Sequence, residues 1–100
     1  MVPFEYQPSG CVSAYHILPV LLPEESDRAA VIGALKENRI QTSIHYPPFW
    51  KFSAYKRQFS SSESPVTAEI CRRQLTLPLF PTMTNEEVDK VTESLLEALK

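Results

Sequence analysis

Hydrophobic positions recur with two periods along the chain. Residues 12–22 are dense in apolar side chains and stop at Pro23, which predicts a first strand. Pro19 cannot donate a ladder hydrogen bond, so it belongs at an edge position or a bulge. Residues 24–38 change to helical spacing. Ala30, Val31, Ala34 and Leu35 form one apolar stripe, and Ser26 or Asp27 can cap the first amides. Asn38 and Arg39 close that helix. The chain then alternates Ile40, Thr42, Ile44 and Tyr46 against Gln41, Ser43 and His45, which predicts a second strand over 40–46, ended by Pro47-Pro48.

Residues 49–60 are aromatic and basic, and a serine-rich loop follows over 60–64. Pro65 suits the first turn of a helix that runs to about Gln74. A third strand covers Leu75–Phe80. Thr84 and Glu87 have capping-box spacing and open a last helix, with Val88, Val91, Leu95, Leu96 and Leu99 on one face. Residues 1–11 contain two prolines and a glycine without a period and read as a lead-in segment. The expected fold is α/β (α+β): a small, largely antiparallel three-stranded sheet of order 1-3-2, helices packed on one face, the other face open.

Composition narrows the function classes. Apolar residues make up 43% and charged residues 22%, an ordinary balance for one folded domain of 100 residues. A net charge of -2 without any basic run argues against nucleic acid and anionic membrane as partners. No run approaches the length of a spanning helix and no signal peptide is visible, so the expected location is cytoplasmic. Only 2 glycines occur, neither in a phosphate-cradling pattern. Cys11 and Cys71 make neither a disulfide framework nor a zinc site, and Cys71 fits a small buried hydrophobe. His16 and His45 lack the further ligands that a metal site needs.

The stretch Ile44-His45-Tyr46-Pro47-Pro48-Phe49-Trp50 concentrates candidate chemistry. On a strand, His45 and Tyr46 point to opposite faces, His45 joining Gln41 and Ser43. A strand end presenting an imidazole to a ligand is one reading. A solvent-exposed histidine is another, and a proline-rich peptide for a partner's groove is a third, though no clear P-x-x-P is present. Lys51, Tyr55 and Arg57 can greet a phosphate or form a solvated face. The acidic clusters near 24–27 and 86–89 lie at helix starts, where they complement the helix dipole.

Four segments together resemble the C-terminal part of the DegT/DnrJ/EryC1/StrS aminotransferases, pyridoxal-phosphate-dependent enzymes acting on sugars. Ser13-Ala14-Tyr15-His16-Ile17-Leu18 resembles the strand opening the family's small domain. Residues 35–48, from Leu35-Lys36 through His45-Tyr46-Pro47-Pro48, resemble its L-K-x-x-G-I-x-x-x-x-H-Y-P-P segment. Residues 75–81, from Leu75 through Pro81, resemble its L-S-L-P-x-x-P strand, and Thr84-Asn85-Glu86-Glu87-Val88 resembles the opening of its last helix. The resemblance covers about residues 12–99. It departs at Arg39, where the family usually has Gly. A left-handed Arg costs roughly 1 kcal/mol, so Asn38 is expected to take that conformation.

The resemblance implies a small C-terminal domain over 12–100, packed in the parent against a large domain that carries pyridoxal phosphate (PLP) and its Schiff-base lysine. No lysine here sits in a matching context, so the chain alone is expected to bind no PLP and to be inactive. It also implies that His45 and Tyr46 contact a nucleotide-sugar substrate, that Tyr15 and His16 lie near the domain junction, and that the parent forms a homodimer. Two rival readings are a freestanding ferredoxin-like binding or assembly module, and a sugar-binding regulator that has lost the cofactor lysine.

Overall fold

A computed structural model of the chain describes residues 2–3, 9–58 and 64–100. Their order is β1 (Val2–Pro3), β2 (Leu18–Leu21), α1 (Arg28–Glu37), a 3-10 turn (Phe49–Lys51), α2 (Pro65–Arg73), β3 (Gln74–Leu77) and α3 (Asn85–Ala98). Most of the serine-rich loop, residues 60–63, lies outside the described residues.

The sheet is antiparallel throughout, in the order β1-β2-β3. The expected first and third strands form in shortened versions and pair with each other: Leu18 faces Leu77, Pro19 Thr76, Val20 Leu75, and Leu21 Gln74. The remaining strand comes from the expected lead-in, where Val2 pairs with Leu21 and Pro3 with Val20. Residues 40–46 do not form a strand. They meet β3 through one bridge, Ser43 to Thr76, on the flank of β3 away from β2. Its register explains why it does not extend. Extrapolated from Ser43 and Thr76, it sets Gln41 opposite Pro78, which has no N–H to give.

The same bridge explains how β2 tolerates a proline. Thr76 N–H donates to Ser43 O at 2.8 Å and Ser43 N–H donates to Thr76 O at 3.0 Å, so the backbone polar groups of Thr76 face Ser43. The facing pair Pro19–Thr76 is therefore a non-hydrogen-bonded one, and the ring nitrogen of Pro19 points away from β3.

One sheet face carries Leu18, Val20, Leu75 and Leu77. It packs against Val31 and Leu35 of α1 and Val91 and Leu95 of α3, with Leu22 and Ile40 completing the core. Asp27, not Ser26, caps α1, accepting from Ala29 N at 2.9 Å and Ala30 N at 3.2 Å. The helix stripes are narrower than expected: Ala30 is exposed in α1, and in α3 Val88 and Leu96 are 46% and 52% exposed. Leu96 lies one residue, about 100°, off the buried line through Val91 and Leu95. α2 contributes no buried residue, and Cys71 within it is half-buried. Arg28 donates to the carbonyls of Cys71 and Gln74, tying the start of α1 to the end of α2.

The end of α1 also departs from expectation. Asn38 keeps φ -82, and Arg39 itself is left-handed at φ 62. Arg39 N–H donates to Lys36 O and Ile40 N–H to Leu35 O, both at 2.9 Å. These are the paired bonds of a Schellman motif, whose accompanying hydrophobic contact is met by buried Leu35 and Ile40. The hydrogen-bond pattern thus places the left-handed residue at position 39, whatever its side chain.

Candidate functional site

The second sheet face is not open along β3. Gln74 and Thr76 point away from the core, yet are only 4% and 5% exposed. Their buried polar atoms need partners, because an unpaired one costs about 1–3 kcal/mol. The 43–46 segment supplies them. Gln74 Nε2 donates to the Tyr46 carbonyl at 3.2 Å, and Thr76 Oγ1 lies 3.0 Å from His45 Nδ1. With the two backbone bonds to Ser43, β3 holds the turn at four points.

His45 and Tyr46 do not lie on opposite faces. Strand alternation has no hold where no strand forms; their joining peptide is cis, and the rings meet edge to face, centroids 5.0 Å apart. His45 is half-buried, with its ring oriented by Thr76. Tyr46 is 66% exposed. Trp50 is buried in the 3-10 turn that follows, and Phe49 packs edge-on against both Trp50 and Tyr55.

A cavity of about 540 Å³ opens beside this turn, a size typical of small-ligand sites. Its lining brings together the two histidines, His16 from the approach to β2 and His45 from the turn, with Thr76 between the segments. Tyr46 and Tyr15 do not line it. Tyr15 is exposed, at a left-handed φ of 49. Lys51 lines a separate cavity with Arg28, Trp50 and Cys71, while Tyr55 and Arg57 are exposed. Among the described residues no group of three His, Cys, Asp or Glu side chains could hold a metal, and no helix is long and apolar enough to cross a membrane.

Gln74 and Thr76 escape a reading that starts the strand at Leu75 and treats its polar positions as solvated. The polar–apolar alternation of Gln74-Leu75-Thr76-Leu77 is the signal that could have found them. Arg39 and Lys90, which also line the larger cavity, carry no local signal.

The fold of this chain recurs in solved aminotransferase structures. The aminotransferase TlmJ from Streptoalloteichus hindustanus superposes with a TM-score of 0.77 at 27% identity, covering 92% of this chain and 24% of that one. A candidate sugar aminotransferase of Streptococcus pneumoniae in its PLP form gives 0.89 at 24% identity, over 98% of this chain and 26% of that one, a likeness of fold alone. Curated relatives include the spore coat polysaccharide biosynthesis protein SpsC of Bacillus subtilis, 33% identical over 87% of this chain and 24% of its own length. Another is the dTDP-3-amino-3,6-dideoxy-alpha-D-galactopyranose transaminase of Aneurinibacillus thermoaerophilus, 32% identical over 93% of this chain and 26% of its own length. The chain thus spans about a quarter of the length of these relatives. The model of one family matches residues 1–96, nearly all of the sequence. The chain belongs to the DegT/DnrJ/EryC1/StrS aminotransferase family.

Proposed function

We propose that this chain is the C-terminal small domain of a PLP-dependent aminotransferase that moves an amino group onto a nucleotide-linked keto sugar. Its task is to close the active site and contact the substrate. The observation that carries the reading is the His45–Tyr46 turn, held by buried Thr76 and Gln74 beside a ligand-sized cavity in a chain of this family. The names of the curated relatives support the substrate class.

The residues of this chain do not themselves fit the cofactor. Lys36, Lys51, Lys56, Lys90 and Lys100 are all exposed, and no glycine-rich backbone cradle is present. A Schiff-base lysine needs an enclosed setting that shifts it toward its neutral form. PLP therefore belongs to the rest of the parent, and the chain alone binds none and does not transaminate. Its partners are the parent's large domain, the nucleotide sugar and a second subunit, in the cytoplasm. In this arrangement His45 and Tyr46 are the substrate contacts. Tyr15 and His16 lie toward the domain junction.

Steady-state kinetics on the full-length protein test the reading. His45→Ala and Tyr46→Ala are each expected to raise KM for the nucleotide sugar about tenfold, as loss of one good polar contact does, while the visible absorbance of bound PLP persists. An unchanged KM in both variants would overturn the assignment. Absence of PLP absorbance from the full-length wild type would overturn the enzyme reading itself.

A further inference from the structure

Two cations line the larger cavity from separate elements: Arg39 from the turn after α1 and Lys90 from α3. Among the described residues neither is paired with a carboxylate. Among the described residues the one carboxylate in the lining, Glu87, is already committed, accepting from Thr84 N–H at 2.8 Å in the capping box. His16 and His45 add donors, and Phe80 and Met83 supply apolar wall.

We infer that this cavity is a phosphoanion site, with Arg39 and Lys90 as its charged contacts. An arginine fork matches phosphate oxygens in pairs, and a lysine adds a point charge; together they suit a multiply charged group. The volume leaves room for a ring beside the anion. Backbone strain supports the assignment. A left-handed Arg is retained where Gly would cost about 1 kcal/mol less, and strain of this kind gathers at functional positions. That the anion is the diphosphate of a nucleotide-linked sugar rests on the reading above; the phosphoanion site itself does not.

Calorimetric titration of the full-length, PLP-loaded protein with inorganic pyrophosphate, and separately with dTDP, tests the inference. Pyrophosphate is expected to saturate one site, to weaken with added salt, and to bind about fivefold less tightly in Arg39→Gly and in Lys90→Gln. Arg39→Gly relieves the left-handed turn, so its loss of affinity does not come from unfolding. Lys56→Gln, outside the cavity, should change nothing. Tighter binding of dTDP identifies a nucleotide as the source of the phosphate, and equal binding a free phosphoanion; either supports the site. Wild-type affinity in both cavity variants, or no saturation, overturns it. With the His45 and Tyr46 effects on KM intact, that failure leaves the aminotransferase reading standing.

Discussion

At position 39 the backbone and the side chain pull in different directions. The Schellman bonds to Leu35 and Lys36 demand a left-handed residue, and arginine meets the demand at a cost. Arg39→Gly should therefore stabilise the protein by about 1 kcal/mol, seen as a higher urea midpoint at unchanged slope. The sequence marks a turn at Asn38-Arg39 but cannot say which residue takes the positive φ, because that depends on where the last helical bond closes. His45 shows a similar divide. Its presence at a turn beside a double proline is legible; its ring orientation is not. The partner that sets it, Thr76, is 31 positions away on another element.

Elements with strong local signals appear as read. Thr84 Oγ1 accepts from Glu87 N–H, and the Glu87 side chain accepts from Thr84 N–H, so α3 begins where the capping box places it. Thr84→Ala should lower unfolding stability by about 1 kcal/mol in denaturant titration. On α2, hydrogen bonding from Arg72 is the main cause holding the Glu69 carboxyl below its ordinary range, and the same bond raises Arg72. A carboxylate depressed on folding stabilises above its unfolded pKa, and that stability fades as pH falls through the folded value. The wild-type advantage over Glu69→Gln in denaturation midpoint should thus be flat near neutrality. It should shrink only on the acid side of the ordinary carboxylate range, and be small because the pair is exposed. Residues 40–46 mislead because alternation alone is not sufficient for a strand. A ladder also needs donors on its partner, and Pro78 withholds one. β1 is missed because two residues carry no period.

For the molecule as a whole, the main core cluster of the described residues joins β2, β3, α1 and α3, and Leu35 sits in it fully buried. Leu35→Ala removes a core side chain and the Schellman contact together, and should cost about 2–5 kcal/mol in thermal or urea unfolding, with Trp50 fluorescence as the reporter. The apolar layer is legible because it follows from helix and strand periods. The polar layer behind it is not, since all four residues of β3 are buried, two on each side. α2 ends at Arg73 and β3 begins at Gln74, with no loop between them. One residue inserted at that junction, with the pairing to β2 preserved, would invert the strand, driving Gln74 and Thr76 into oil and turning Leu75 and Leu77 toward His45. A single-residue insertion or deletion at residues 73–77 is therefore a far harsher change than a substitution there, because it exchanges the two faces at once.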